Sequence, residues 1–351
     1  MLNGCNMLNG AEFYIAIDNK GLWPNLTLMA NGEIAAAIYN HPSHGYGSGS
    51  NIELWTSSDE GKLWDFRSTV SSQAENNPRS IRMNHAVGLN SEGHIIAMVS
   101  GYQENQRLPF LPLQLCISPD NGLTWSRSLL DEIGYIPFGD IIALPDRELL
   151  CAMYIKNKPD GRTALLFSSK DGGVTWSEKS RIGEAGETNL LYCKNGVLLA
   201  AGRTPCRESM DRVLPHGAGT MIYRSNNQGQ TWDSGKLISP QGQENAHLLE
   251  LLDGRILCAI TSRIPGLFGV IFRISADGGG TWSVPEVLIS IPAADWRKTD
   301  SGYPSSVQLP DGTIVTAFYY GPKKPELARY AAPWHQRYHM GVARWKPDLL
   351  G

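Results

Sequence analysis

One phrase constrains this chain more than any other feature: Ser-x-Asp-x-Gly-x-x-Trp, written five times. SSDEGKLW ends at Trp64, SPDNGLTW at Trp125, SKDGGVTW at Trp176, SNNQGQTW at Trp232 and SADGGGTW at Trp282, with Asn227 as the one substitute for the aspartate. A phrase repeated at near-regular spacing means repeated supersecondary units, each needing its neighbours to bury its apolar faces.

A second pattern accompanies it. Six times an apolar run, a polar turn and another apolar run follow one another, as in NLTLMANGEIAAAIY, AVGLNSEGHIIAMVS and SSVQLPDGTIVTAFYY. Asn-Gly or Asp-Gly between short apolar runs is a hairpin signal, because those residues accept the positive φ of tight turns. The turn positions Gly32, Gly93, Arg147, Gly196, Gly254 and Gly312 are separated by 61, 54, 49, 58 and 58 residues. Such a step holds about four strands, and no helix-length amphipathic segment intervenes. The pattern predicts an all-β chain, a six-bladed β-propeller. The sixth unit ends after YHMGVARW without a fourth strand, and residues 11–18, AEFYIAID, can supply it from the other end of the chain. The expected organisation is an N-terminal tail over 1–10 and a single propeller domain over 11–351, its ring closed by that N-terminal strand, which hides an otherwise open sheet edge.

Within the phrase, the Asp can accept hydrogen bonds from turn amides, the Gly can take a conformation closed to other residues, and the Trp can cover the sheet edge. Its expected role is structural. With 31 basic against 34 acidic residues, the chain has no basic surplus to follow a phosphate backbone, so nucleic acid is not expected as a partner. No apolar run approaches a membrane span and residues 1–18 lack the pattern of a signal peptide, so a soluble protein is expected. The compartment is left open between the cytoplasm and secretion after removal of a leader. The six cysteines show no close spacing, and four of them sit inside apolar runs, which favours buried thiols over metal ligation; no metal or other cofactor is expected.

The five phrases resemble the Asp-boxes (BNR repeats) of the sialidase, or neuraminidase, superfamily, and the likeness runs over nearly the whole chain. The resemblance implies a six-bladed propeller whose inner strands carry a site at one face. Strand-start positions counted from the hairpin turns give Trp23, Asn84 with His85, Phe138 with Asp140, Glu187, Glu244 with Asn245, and Tyr303. The ends of the second strands give His41, Tyr102, Lys156, Arg203, Arg263 and Tyr319. Tyr303, in SGYPSSVQLPDGTI, resembles the sialidase nucleophile. A neutral phenol activated by a glutamate suits an anomeric carbon that bears a carboxylate, which would repel an anion. Glu244 lies near where the family places that glutamate, and Glu187 is the competing choice. Family members hold the substrate carboxylate with three arginines; here Arg263 and Arg203 are candidates, with Arg273 as a further one. The family's Phe-Arg-Ile-Pro segment is replaced by GLWPNL, with Leu22 or Trp23 where an arginine is expected, so the chain is a divergent member. The family's acid loop reads NHPSHGYGSGSN and carries His41 and His44 in place of a carboxylate, while His85 or Asp140 could join them.

These residues point first to a sialidase-like exo-glycosidase that hydrolyses a terminal acidic sugar, sialic acid or a relative, from glycans. Tyr303 would attack, Glu244 or Glu187 would take its proton, Arg203 and Arg263 would anchor the carboxylate, and His44 or Asp140 would donate a proton. His41, His85 and Trp23 would contact substrate. A propeller lyase or glycosidase acting on uronic-acid glycans, and a non-catalytic carbohydrate-binding propeller, remain open alternatives. The oligomeric state is not legible.

Overall fold

The computed structural model describes residues 6–347 apart from 43–48, 74–76, 104–109, 131–133, 158–160, 205–218, 241, 291–299 and 322–337, and apart from the side chains of 156 and 157. Its regular elements are β-strands, grouped in six antiparallel units of four. Their first strands are Leu22–Leu28, Ile81–Leu89, Ile136–Ala143, Thr188–Tyr192, Gln243–Glu250 and Ser301–Gln308. In the first five units the chain then steps outward strand by strand. The sixth has three consecutive strands, ending at His339–Trp345, and takes its fourth from Glu12–Ile17, which pairs antiparallel with that strand. Asn6–Met7, within the segment expected as a tail, adds a short fifth strand to the fifth unit by pairing with Glu286–Ser290.

Every first strand touches the first strand of the next unit, and that of the sixth touches that of the first. The second and third units go further, their first strands pairing in parallel so that eight strands form one sheet. The buried apolar side chains lie between units. One layer joins Leu26, Ile34 and Ile38 of the first unit to Val315, Ala317 and Val342 of the sixth. Others join the second to the third unit through Ile96 and Leu149, and the fourth to the fifth through Leu199 and Ile256. A strand packed on both faces has no polar side to display, which is why Ile34–Tyr39 and Ile95–Tyr102 are buried throughout and show no alternation.

The repeated phrase makes this packing possible. In the second unit, Asp120 accepts from the Thr124 amide at 2.9 Å and the Thr124 hydroxyl at 2.6 Å, and Ser118 donates to it at 2.8 Å. Those bonds, led by the Thr124 hydroxyl, push its carboxyl pKa down to about 2. Asn227 keeps the acceptor, taking the Thr231 amide at 3.0 Å. The glycine has a second duty that the sequence does not reveal. A Cβ on Gly122 would sit 2.1 Å from Leu54 of the preceding unit, on Gly173 2.4 Å from Ile96, and on Gly229 2.3 Å from Leu166. The turn therefore presses its backbone directly onto the neighbouring unit. Trp125 completes the joint by donating its indole N–H to Ser68 of the first unit at 2.8 Å, while Ser68 donates to the Gly122 carbonyl.

Gly93 provides the control for a glycine substitution, because it shares the positive φ but has nothing within 4 Å of a would-be Cβ. Gly93→Ala should cost about 1–2 kcal/mol from left-handed backbone strain alone, whereas Gly122→Ala should cost a further 1–3 kcal/mol or so from overpacking against Leu54. Urea unfolding midpoints of the two variants check the difference.

Candidate active site

The first strands do not begin smoothly. Register shifts interrupt them between Leu22 and Asn25, Arg82 and His85, Pro137 and Ile141, Glu244 and Ala246, and Gly302 and Ser305. At these breaks Trp23, Asn245 and Tyr303 have φ of 53°, 54° and 52°, in a region uncommon for residues with a side chain, and Gly139 has 75°. Each break re-aims the side chains that follow. Trp23 and Tyr303 thereby meet near the middle of the ring of first strands, ring centroids 6.3 Å apart, with Phe138 edge-on to Tyr303 at 5.7 Å and Trp23 stacked on Tyr39 at 5.5 Å.

Around Tyr303 lies a continuous network of charge. Its hydroxyl is 3.4 Å from Glu187 Oε1, and Arg203 Nη1 is 3.4 Å from both. These contacts are at the loose end of hydrogen bonding, as reacting groups often are without substrate. Glu187 Oε2 is held by Arg162 Nη1 at 2.6 Å, and Tyr154 Oη lies 3.5 Å from Oε1. Arg203 Nε faces Glu244 Oε2 at 3.0 Å, an ion pair whose N–H is not aligned for a hydrogen bond. Arg263 binds Glu244 Oε1 through Nη1 and Asp300 Oδ1 through Nη2 at 3.1 Å, and the Tyr319 hydroxyl donates to Asp300 Oδ2 at 2.8 Å. Burial and then the nearby Glu187 charge push the Tyr303 hydroxyl pKa up to about 12, against the opposing effect of the arginines. The phenol is neutral at any ordinary pH.

The structure thus brings together Tyr303, Glu187, Glu244, Arg203 and Arg263, and arranges them differently from the sequence-based expectation. Glu187, not Glu244, touches Tyr303. Glu244 is fully buried between two guanidinium groups. Arg273 points elsewhere, donating to the Ser283 carbonyl at 2.6 Å. Arg162, Tyr154 and Asp300 join the cluster without having been found in the sequence; Arg162 opens a third strand, Gly161–Ser169, outside the strand positions that the hairpin count samples.

Asp140 and His85 make other contacts, although His85 lines one cavity with Trp23, Phe138, His247 and Tyr303. The Asp140 carboxylate accepts from Asn25 at 2.9 Å and Asn189 at 3.1 Å, and His247 Nε2 lies 3.1 Å from it. The Ser306 amide donates to His247 Nδ1, which leaves the proton on Nε2, facing Asp140. Four units thus meet through one carboxylate already supplied with donors. His85 is buried with its nitrogens 3.2 and 3.4 Å from the Ala37 and Met83 carbonyls. His41 is half-buried with its ring 5.9 Å from Tyr39. His44 lies outside the described residues. No group of three metal-binding side chains occurs among the described residues, and no helix among them is long and apolar enough to cross a membrane.

Comparison with known proteins agrees with this architecture. The BNR repeat-like domain family matches over residues 138–316, about half of the chain. The chain belongs to that family, within the sialidase superfamily of BNR-repeat proteins. A sialidase of Clostridium perfringens is 23% identical over 254 residues, covering 62% of this chain and 63% of the relative, so the match spans less than two thirds of that protein. Among solved structures, a Dyadobacter fermentans protein of unknown function superposes with a TM-score of 0.73 at 18% identity, over 98% of this chain and 99% of that one. Trypanosoma rangeli sialidase in complex with sialic acid superposes with a TM-score of 0.68 at 13% identity, over 99% of this chain and 58% of that one. At these identities the likeness establishes a β-propeller-like fold.

Burial lowers the His85 pKa from 6.5 to about 4. The unfolded chain then binds the extra proton first, so stability from this group is complete above about pH 6.5 and is lost as pH falls toward 4, by up to about 3 kcal/mol. His85→Gln should remove that loss: the stability of the wild type relative to the variant should fall between pH 7 and pH 4 in denaturant titrations.

Proposed function

We propose that the chain is a single six-bladed propeller domain over residues 11–351, with Asn6–Met7 of the preceding segment added to its fifth blade, and a glycoside hydrolase that uses Tyr303 as nucleophile and Glu187 as its base. The substrate class is a terminal acidic sugar, sialic acid or a relative, on a glycan. The observation that carries this reading is the Tyr303–Glu187 contact at 3.4 Å with Arg203 at the same distance from both oxygens. A binding protein gains nothing from a phenol buried against a carboxylate acceptor, whereas a nucleophile that must stay neutral until it reacts needs that arrangement.

In the first step the Tyr303 oxygen forms a bond to the anomeric carbon while its proton passes to Glu187 and the bond to the leaving oxygen breaks. A histidine of the 41–44 stretch donates the proton that the leaving oxygen takes. Water then attacks the same carbon and gives one proton to that histidine as the glycosyl–tyrosine bond breaks, while Glu187 returns its proton to the phenol oxygen, and the configuration is retained. Arg203 stabilises the negative charge that develops on the phenol oxygen and that was too costly in the resting, buried site. Glu244 and Arg263 form a buried pair that fixes Arg203 from one side. Elimination is the second reading, because His85 and His247 line one cavity with Tyr303; against it, His85 faces the Ala37 and Met83 carbonyls and His247 faces Asp140.

Aryl glycosides of sialic acid, uronic acids and neutral sugars test the reading. Cleavage of an acidic substrate should fall at least about 1000-fold in Tyr303→Phe and on the order of 100-fold or more in Glu187→Gln. Equal turnover by wild type and Tyr303→Phe would dismiss the nucleophile. A product absorbing in the ultraviolet as an unsaturated sugar would replace hydrolysis with elimination.

A further inference from the structure

Of the six turns between first and second strands, five carry glycine at the residue of positive φ: Gly32, Gly93, Gly196, Gly254 and Gly312, at 80–88°. The third turn carries Arg147 there, at 72°. Its hydrogen bonding is unchanged, the Arg147 amide donating to the Leu144 carbonyl at 2.9 Å as the Gly93 amide donates to Asn90 at 3.0 Å. The geometry therefore favours glycine, and a side chain strains it. Nothing lies within 4 Å of a would-be Cβ at Gly32, Gly93, Gly254 or Gly312, so a side chain at this position gains no packing around its Cβ to offset the strain. What the far end of Arg147 reaches has to account for it.

It reaches a groove of about 310 Å3 between the second and third units, lined also by Asn90, His94, Ile117, Lys170 and Val174. The groove lies at the end of the first strands opposite Tyr303. Asn90, 7% exposed, fixes its walls: Oδ1 accepts from the Glu92 and His94 amides at 3.0 and 2.9 Å, and Nδ2 donates to the Gly172 carbonyl at 3.2 Å. One buried amide thus holds a turn from each unit. The carboxylates of the lining are engaged, Asp171 by the Ser169 hydroxyl and the Val174 and Thr175 amides of its own turn, and Glu92 by His94 Nδ1 at 3.4 Å. Arg147 and Lys170 are exposed and make no ion pair among the described residues.

We propose that this groove is a second binding site, which takes a sulfate or phosphate group, free or as a monoester, between Arg147 and Lys170. A tetrahedral oxyanion offers an edge of two oxygens to the planar guanidinium and a further oxygen to the compact ammonium. The strain at Arg147 is then the cost of placing a cation where the other turns have none. The site goes beyond the glycosidase reading and does not depend on it.

The test is calorimetry on the full chain, at constant ionic strength, with inorganic sulfate, inorganic phosphate, galactose 6-sulfate and galactose 6-phosphate. Wild type should bind at least one of them, and preference for an ester over its free ion shows which source the groove suits. Arg147→Gly and Lys170→Gln should each weaken that binding on the order of 10-fold or more. Arg147→Lys, which keeps the charge and loses the fork, should fall between. In ligand-free buffer the urea midpoint of Arg147→Gly should not fall below that of wild type, because glycine relieves the turn. Wild type that binds none of the four, or binding that survives Arg147→Gly, overturns the proposal. A lowered midpoint for Arg147→Gly overturns it too, since the arginine would then be supporting the fold. Arg147→Gly should cleave the aryl glycosides as wild type does, so either reading can fail while the other stands.

Discussion

Burying charge is the constraint around which the centre of this molecule is arranged. Three guanidinium groups and three carboxylates, Arg162, Arg203 and Arg263 with Glu187, Glu244 and Asp300, sit where each alone would cost several kcal/mol. They are tolerable because every one of them faces an opposite charge, and the chain of contacts runs from the third unit to the sixth. Removing any one member leaves a neighbour exposed to that cost. The network thus couples the geometry around Tyr303 to the packing of units: Glu187 cannot move toward Tyr303 or away from it without disturbing Arg162 and Arg203 together.

The packing side of this coupling lies at the opposite ends of the strands. Turn glycines press onto the preceding unit, and the apolar layers lie between units rather than within them. Each unit is therefore shaped by its neighbour. The position of a residue at the start of a first strand is then fixed by two interfaces, which is how backbone at φ near 53° can be held for Trp23, Asn245 and Tyr303. Strain at those three positions is the local cost of directing side chains inward from strands that would otherwise alternate.

The strands and their grouping were legible in the sequence because turns and apolar runs are local signals. Asp59, Asp120, Asp171 and Asp277 with their serines and glycines announce the same turn four times, and Asn227 a fifth. The position of Tyr303 at the start of the last first strand was legible too, from its place before a Leu-Pro-Asp-Gly turn. The choice between Glu187 and Glu244 was not. Both lie nine or ten residues before a hairpin turn, but the fifth unit has a register shift between Glu244 and Ala246, and the described pairing of the fourth unit has none. One bulge residue changes the direction of a side chain, and no local pattern predicts it. Arg162 escaped for a different reason: it starts a third strand, and it reaches Glu187 because Gly186 has no side chain to block it, a relation across sheets that sequence spacing does not encode.

Trp23 shows what such redistribution does to a site. The segment GLWPNL stands where the resemblance to sialidases leads one to expect an arginine, and here an indole stacks on Tyr39 and meets Tyr303 edge-on. A ring cannot neutralise a carboxylate, so the first unit contributes shape and apolar surface, instead of charge, to the cavity that Trp23 lines with Phe138 and Tyr303. The cationic groups Arg162, Arg203 and Arg263 come instead from the third, fourth and fifth units, paired with Glu187, Glu244 and Asp300. Aromatic rings reach Tyr303 from the third and sixth units as well, Phe138 at 5.7 Å and Tyr319 at 5.6 Å between centroids. Because the guanidinium groups that remain all face carboxylates, the loss of a cation in the first unit and the position of Glu187 in the fourth are parts of one electrostatic arrangement.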